Sequence, residues 1–318
     1  MAVFIPPTDG PEKCSEQAGR PAAFEPPEYT MKEIYDNIPP HCLQPNTLVS
    51  LYYILRDYFF VLVLVSVATQ IPNISYPYLR SLAWATYAFL QGLVFTGLWE
   101  LAHECGHGAL SKSKAFNNTC GLIIHSLLLV PYYSWKITHS THHKTTNNLD
   151  KDIAFVPTIK EAYQAARESH SKAWDYIEDM PLVALIHLFF HHGCGLITGF
   201  VCLPLKLNEA YSSIPYYPTK TWTFLRGAAS TVDRDFGFIG RVIFHGAIET
   251  HVMHHHVSRI PFYHAIEATA AVRKVMGSHY QSDFKTPYIW AFWKNYRTCK
   301  FVEETEQSSQ IYFFPKTE

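Results

Sequence analysis

The chain has 318 residues, enough for one large domain or two ordinary ones. Its 26 Lys and Arg nearly balance its 27 Asp and Glu, which argues against a nucleic-acid-binding surface, and its seven cysteines form no C-x-x-C pair that would predict a disulfide framework or a cysteine-based zinc site. Only 17% of the residues are charged, against about 25% in typical soluble domains, and 15% are aromatic. A low charged fraction together with a high aromatic fraction is typical of a membrane protein.

Residues 1–45 are rich in prolines and polar residues, without the charged and then apolar regions of a signal peptide, and we predict a cytosolic N-terminal tail. The first apolar segment, 57–71, extends back through 48–56, but Arg56 and Asp57 are expected to cut it short of a span of about 20 residues. The second, 82–99, has Trp84 and Trp99 as expected interfacial anchors. Two spans return the chain to the side of its tail.

The apolar stretch 120–133 is too short to cross a bilayer and is expected to be a re-entrant or core helix. Residues 182–205 are long enough for one crossing, although they hold three histidines, three glycines and a proline. The remainder has no further clean span, and the aromatic ending, 310–318, is expected at the surface. We therefore divide the chain into the N-terminal tail 1–45, a membrane domain 46–303 and a C-terminal tail 304–318.

Three histidine clusters have related spacing, and on a helix each would direct its imidazoles from one face. Box one is H-x-x-x-H, and boxes two and three are H-x-x-H-H. Their eight histidines are His103 and His107, then His139, His142 and His143, then His251, His254 and His255. Eight ring nitrogens could hold two metal ions, but imidazole suits iron, zinc, copper and nickel alike, so the ligand type leaves the metal open.

Box one also reads H-E-x-x-H, the pattern of zinc metalloproteases, with Glu104 in the position of the general base. The longer form of that motif fails, because Leu110 and Ser113 stand where Gly and His are required. A protease would also leave boxes two and three unused. We therefore expect Glu104 to orient a ligand imidazole through the ring nitrogen that does not bind metal.

Three stretches resemble the histidine boxes of membrane fatty-acid desaturases, specifically the fungal form of the Δ12 (oleate) group: "HECGHGALS", "HSTHHKTTNN" and "HVMHHHVSRIPFYHAIEAT". Two further segments, "YTMKEIYDNIPPHCL" and "WTFLRGAASTVDRDFGFIGRVIFHG", extend the resemblance over about residues 26 to 303. It implies an all-α integral membrane helical bundle with a cytosolic di-metal cap, multi-pass in the endoplasmic reticulum.

The resemblance further implies that the eight box histidines bind two iron ions. It implies O₂-dependent insertion of a cis double bond into an acyl lipid or acyl-CoA, with electrons from cytochrome b5 and its reductase. The sequence has no H-P-G-G haem motif, so a separate electron donor is implied. Acetylenases, conjugases and hydroxylases of specialised fungal pathways share this scaffold and stay open as alternatives.

The chain departs from the family between boxes two and three, where members have roughly 70 more residues, which include another span of about 20 residues and a "YLQHT" segment. With one crossing left, box three would face the opposite side of the bilayer unless 182–205 doubles back. His187 and His191 could replace a lost ligand, although interhelical hydrogen bonding is the more usual role of such rings. A catalytically impaired relative is therefore another alternative.

Three more side chains are expected to support the metal centre from outside it. Asp233 and Asp235 are predicted either to orient ligand rings or to cap a helix. His245 lies six residues before box three, off its helical face, and is expected at most to support a ligand. His256 stands where the family usually has Leu, so it is not counted as a ligand.

Overall fold

The computed structural model describes residues 24–168, 213–304 and 310–315, so the predicted span 182–205, with His187 and His191, lies outside the described residues. The described part is mostly helical, as predicted. Its α-helices are α1 Met31–Asn37, α2 Thr47–Ala68, α3 Pro77–His107, α4 Lys114–Leu127, α5 Tyr132–Thr145, α6 Lys160–Glu168, α7 Phe224–Ala228, α8 His251–His256, α9 Phe262–Met276 and α10 Tyr288–Thr298. Short 3-10 turns cover Pro40–Leu43, Ile71–Asn73 and Gly277–His279, and a π-helical turn covers Ile239–Ile243.

Four two-residue strands complete the described elements. Strand β1 (Asp233–Arg234) pairs in parallel with β2 (Ser282–Asp283), and β3 (Glu303–Glu304) pairs antiparallel with β4 (Tyr312–Phe313). The C-terminal stretch was expected at the surface, and this is wrong for Phe313 and Phe314, which are buried. Phe314 packs with Tyr216, whose backbone also pairs with Tyr312, so the segment is held by both sheet hydrogen bonds and ring contacts.

Helix α2 is continuous for 22 residues, and the predicted interruption at Arg56 and Asp57 is wrong. At 1.5 Å per residue the helix is about 33 Å long, enough for a hydrocarbon core of about 30 Å. Arg56 donates hydrogen bonds to Asp57 (2.8 Å) and to the Val242 carbonyl (2.9 Å). His245 Nε2 lies 2.8 Å from the other Asp57 oxygen. Both charges therefore have partners, and neither ends the helix.

Helix α3 has 31 residues and ends at Gly108, whose φ of 74° is the left-handed conformation that glycine adopts without strain. The segment Thr47–Asn73 and helix α3 are the two parts of the described chain long and apolar enough to cross a membrane. Trp99 was expected at an interface, and this is wrong, because its ring is 4% exposed and stacks on His103.

Helices α2 and α3 form a hairpin whose open end lies next to box one. The Thr47 hydroxyl, at the start of α2, lies 2.7 Å from the Ser111 hydroxyl just beyond α3. Ser50 also donates a 2.7 Å hydrogen bond to the Leu110 carbonyl. The beginning of the first apolar helix and the end of the second therefore lie side by side.

Residues 31–43, within the predicted N-terminal tail, are packed against the helix that follows box three. Helix α1 begins with a capping box between Thr30 and Glu33. Ile34 and Cys42 are fully buried in a core cluster that also contains Val272 of α9. This packing places residues 31–43 next to the end of box three.

Candidate metal centre

Box one lies in the last turn of α3, where His103 and His107 are one turn apart. Their Nε2 atoms are separated by 3.2 Å. Helix α4 folds back on α3, and α5 then brings box two to the same place. His139 Nε2 is 3.1 Å from His107 Nε2, and His143 Nε2 is 2.9 Å from His139 Nε2. The first two boxes thus form one continuous set of ring nitrogens.

Box three joins this set through His254, on the short helix α8. One ligand atom each of five histidines lies within 4.8 Å of all the others: His103, His107, His139, His143 and His254. A histidine of box three therefore lies beside boxes one and two in the part of the chain that the structure describes. The path of the chain from residue 169 to 212 is outside the described part.

The other three box histidines form a second group next to the first. His251 and His255 have Nε2 atoms 3.1 Å apart. The His255 ring lies 5.3 Å from that of His142 and 4.3 Å from that of His143, measured between centroids. His143 therefore lies between the two groups, and all eight predicted histidines are contiguous.

Burial favours the neutral form of four of these imidazoles. The pKa values of His139, His143, His254 and His255 are all lowered, first by the loss of water and then by the neighbouring imidazoles. A neutral ring offers a lone pair to a cation, whereas a protonated one cannot bind it.

The spacing of the ring nitrogens fits metal binding. Two imidazoles bonded to one ion at about 2.1 Å and at right angles would have nitrogens about 3 Å apart, close to the separations of 2.9 to 3.2 Å found here. His254 Nε2 is buried, and none of the described residues forms a hydrogen bond with it. Such a nitrogen needs a partner, and a shared cation would provide one.

Two hydrogen bonds fix the orientation of the imidazole rings of His142 in box two and His255 in box three. Asp152 Oδ1 lies 2.9 Å from His142 Nδ1, and its other oxygen accepts a 3.0 Å bond from the Asn147 backbone N–H. Thr146 donates its hydroxyl hydrogen to the His142 carbonyl (2.9 Å) and therefore accepts from Nδ1 of His255 (3.1 Å). Both arrangements put the hydrogen on Nδ1 and the lone pair on Nε2.

Sequence analysis did not identify Asp152 or Thr146, although both follow box two within ten residues. The signal was the polar run "KTTNNLDKD", which is too hydrophilic for an ordinary buried turn. In the structure Thr146, Asn147, Asn148 and Asp152 are all buried. A carboxylate and a hydroxyl that follow a histidine box and become buried are therefore candidates for orienting its rings.

Glu104 lies between box one and box three. Its Oε1 is 3.6 Å from His103 Nδ1 and 3.8 Å from His254 Nδ1, and Oε2 accepts a 3.2 Å hydrogen bond from the Phe262 backbone N–H. Glu100, one turn earlier in α3, lies 3.5 Å from the same His103 nitrogen. Two buried carboxylates thus face the side of the His103 ring away from His107.

Asp233 holds the start of the box three helix. It accepts a 2.7 Å hydrogen bond from the Val252 backbone N–H and a 2.5 Å bond from the Tyr280 hydroxyl. Asp235 instead pairs with Arg241 at 2.5 Å and accepts the Gly237 N–H. Of the hydrogen bonds described for the two aspartates, those of Asp233 reach α8 and those of Asp235 do not.

The remaining two histidines near box three point elsewhere. His245 lies against Asp57, with its ring 4.7 Å from that of Phe262. His256 donates from Nδ1 to the Val252 carbonyl (2.7 Å), so its Nε2 accepts from the Tyr29 hydroxyl (2.8 Å). Neither ring nitrogen of His256 is left for a metal.

The indole rings of Trp99 and Trp135 cover one side of the first group of histidines. The Trp135 ring stacks on His139, 4.7 Å away and tilted by 17°, and Trp99 stacks on His103, 5.7 Å away and tilted by 13°. Gly106 allows this approach, since a Cβ there would lie 2.7 Å from Trp135 Cζ3. The glycine of box one thus lets an indole ring shield its histidines from water.

Fold and site together define a helical protein with a buried polyhistidine candidate metal centre at the end of two apolar helices. The fatty acid desaturase family profile matches residues 82–232. A Δ12 fatty acid desaturase of Mortierella isabellina is 33% identical, with 92% of each chain covered. An oleate hydroxylase of Claviceps purpurea is 34% identical over 93% of this chain and 82% of its own. A soybean (Glycine max) omega-6 fatty acid desaturase, endoplasmic reticulum isozyme 1, is 31% identical over 95% of both.

The chain belongs to the fatty acid desaturase family, and it is a Δ12 desaturase-like oxidoreductase. The resemblance seen in the three histidine boxes is thereby confirmed. The alignment with the Mortierella isabellina enzyme extends over 372 positions, more than the 318 residues of this chain, so the relative has residues that this chain lacks.

Proposed function

We propose that the protein inserts a cis double bond at the Δ12 position of an 18-carbon acyl chain, in an O₂-dependent reaction at two iron ions. The observation that carries this proposal is the convergence of eight histidines from three distant segments in one buried region. Five of them form the first group and three the second, with His143 between them. The number of donors suits two cations better than one.

Bound iron would supply the activation of O₂ and the removal of hydrogen from an unactivated C–H bond. The chain's own residues hold and protect that centre. Asp152 and Thr146 fix the tautomers of His142 and His255, and Glu104 faces the outer nitrogens of His103 and His254. Trp99 and Trp135 exclude water from one side, which protects a strong oxidant from side reactions.

The same proposal places the protein as a multi-pass helical bundle in the endoplasmic reticulum membrane, with its histidine boxes facing the cytosol. The two apolar helices and their hairpin support it, because the hairpin returns box one to the side where α2 begins. The name of the soybean relative supports the compartment. Electrons would come from cytochrome b5 and its reductase. His187 and His191 stay predicted as possible additional ligands.

The test is expression in a yeast that supplies cytochrome b5, followed by gas chromatography of total fatty acids. We expect a new diene in the wild type and none in His142→Ala or His254→Ala. Retained product in either variant would contradict the assignment of its box to the metal centre. Absence of any product from folded wild-type protein would favour a catalytically impaired relative.

A second candidate is a hydroxylase, which the similarity to the Claviceps purpurea oleate hydroxylase favours. The same cells distinguish the two reactions, because mass spectrometry separates a hydroxylated acyl chain from a diene. A hydroxy acid as the major product would replace the desaturase proposal while leaving the metal centre unchanged.

A further inference from the structure

A second group of metal-binding side chains lies on the N-terminal segment and α9, and the proposed iron centre does not use it. Two members are adjacent in the 3-10 turn Pro40–Leu43, and two lie one turn apart on α9. The group consists of His41, Cys42, His264 and Glu267, with one ligand atom of each within 4.8 Å of all the others. We call it the Cys42 group.

The closest contacts centre on His41. Its Nε2 lies 2.9 Å from Glu267 Oε2 and 3.6 Å from Cys42 Sγ. The rings of His41 and His264 meet edge to face, with centroids 5.4 Å apart. Cys42 is fully buried, whereas the side chains of His41 and Glu267 are more than half exposed. The Cys42 sulfur is therefore the buried member of a group whose other side is open to solvent.

These donors match the preferences of zinc. Zinc binds four ligands tetrahedrally, with bonds of about 2.3 Å to sulfur and about 2.0 to 2.2 Å to nitrogen or oxygen. A tetrahedron of that size has edges of about 3.3 to 3.6 Å, and the ligand atoms of the Cys42 group lie within 4.8 Å of one another. One thiol, two imidazoles and one carboxylate also select against magnesium and calcium, which take oxygen ligands.

We propose that the Cys42 group is a binding site for a zinc-type divalent cation, distinct from the histidine-box centre. The sequence alone does not reveal this site, since its two halves are more than 200 residues apart and no C-x-x-C pair is involved. A bound ion would tie the N-terminal segment to α9, the helix that follows box three. The ion would thereby support the position of α8 without a ligand from any histidine box.

Binding at this site displaces a proton. Burial, and after it the neighbouring Glu267 carboxylate, raises the pKa of the Cys42 thiol to about 11. The thiol is protonated at neutral pH, and the ion must replace its hydrogen to form the metal–sulfur bond. Affinity should therefore increase with pH, by up to tenfold per pH unit between about 7 and 8.

The test uses the full-length purified protein, without added iron, titrated with Co²⁺ as a spectroscopic substitute for zinc. We expect near-ultraviolet absorption from a thiolate-to-cobalt transition, which is removed when Zn²⁺ is added. The histidine boxes contribute imidazole donors only, so this band reports the Cys42 group whether or not the iron proposal holds. Cys42→Ser should abolish the band, and Cys120→Ser, a thiol in α4, should retain it.

Glu267→Gln provides a second variant, because this side chain is exposed and its replacement leaves the core intact. We expect it to weaken Co²⁺ binding at least tenfold. A band that persists in Cys42→Ser, or an affinity that is unchanged in Glu267→Gln, would overturn the proposal. Failure of iron binding in the wild type would contradict the proposed function but would leave this result unaffected.

Discussion

In the helical hairpin, Phe59 and Leu62 have 60% and 63% of their surface exposed, whereas in the histidine-box centre His254 and His255 have only 8% and 2% exposed. A water-soluble domain distributes such residues the other way. Exposed leucine and phenylalanine along α2 are typical of a helix that packs against lipid or another apolar surface, and buried imidazoles need a cation or a hydrogen-bond partner. The exposed apolar helices and the buried histidine-box centre therefore meet where α3 ends.

The largest effect is expected from removal of a box histidine whose Nε2 has no hydrogen-bond partner among the described residues. His254→Gln should reduce acyl product more than about 100-fold, since loss of a ligand exceeds the 10 to 100-fold cost of changing an outer partner. The matched control is His256→Gln, two residues later, whose ring is hydrogen-bonded to Val252 and Tyr29. Gas chromatography of whole-cell fatty acids measures both. Equal losses in the two variants would contradict the different roles assigned to these rings.

A charge placed on the exposed apolar face of α2 tests whether the hairpin inserts into a membrane. Phe59→Lys, near the middle of α2, should oppose membrane insertion by about 2.5 to 3.5 kcal/mol. Leu48→Lys is the control, because its position at the helix end lets the ammonium group reach the interface. Insertion into microsomes measures both variants. The lipid-facing assignment of α2 would be wrong if Phe59→Lys inserted as efficiently as Leu48→Lys.

A smaller effect is expected at the side chains that orient the ligand rings. Asp152→Asn weakens the acceptor for Nδ1 of His142 and should reduce iron affinity by about 10 to 100-fold. Asp150→Asn is the matched control, since Asp150 is exposed and accepts a hydrogen bond from the Thr219 N–H, away from the histidine boxes. Metal titration of the purified variants compares them. An unchanged affinity in Asp152→Asn would remove its orienting role.

The smallest effect is expected from a single methyl group. Gly106→Ala places a Cβ 2.7 Å from the Trp135 ring and should destabilise the protein by about 1 to 3 kcal/mol. Gly92→Ala, in the same helix, meets no atom within 4 Å and should be neutral or slightly stabilising. Thermal unfolding in detergent gives both values. Similar unfolding midpoints for the two variants would show that the packing of Trp135 against box one does not require Gly106.

Much of the centre could be predicted from the sequence, because the spacing within each box follows the period of a helix. His103 with His107, and His139 with His143, are on one helical face whatever the remainder of the chain does. The convergence of the boxes followed from the family resemblance. The continuity of α2 through Arg56 and Asp57 could not be predicted, since it depends on Val242 and His245, more than 180 residues away.

The same limit explains the other errors. A tryptophan at the end of an apolar segment is the pattern expected of an interfacial anchor. Helices α4 and α5 pack against α3, however, and bury the Trp99 ring among histidines. In the polar, aromatic ending of the chain, Phe314 packs with Tyr216 and Val302, and Phe313 packs against Phe24, all from other segments. Local patterns report the helix face or the strand period. They do not report which distant surface covers a residue.

The most direct test of the central claim is the ratio of iron to polypeptide in the purified wild-type protein, measured by inductively coupled plasma mass spectrometry. The convergence of five histidines in one group and three in the next predicts two irons per chain. A ratio of two that falls in His254→Gln and is unchanged in His256→Gln would support it. A single iron, or zinc in place of iron at the histidine boxes, would contradict it.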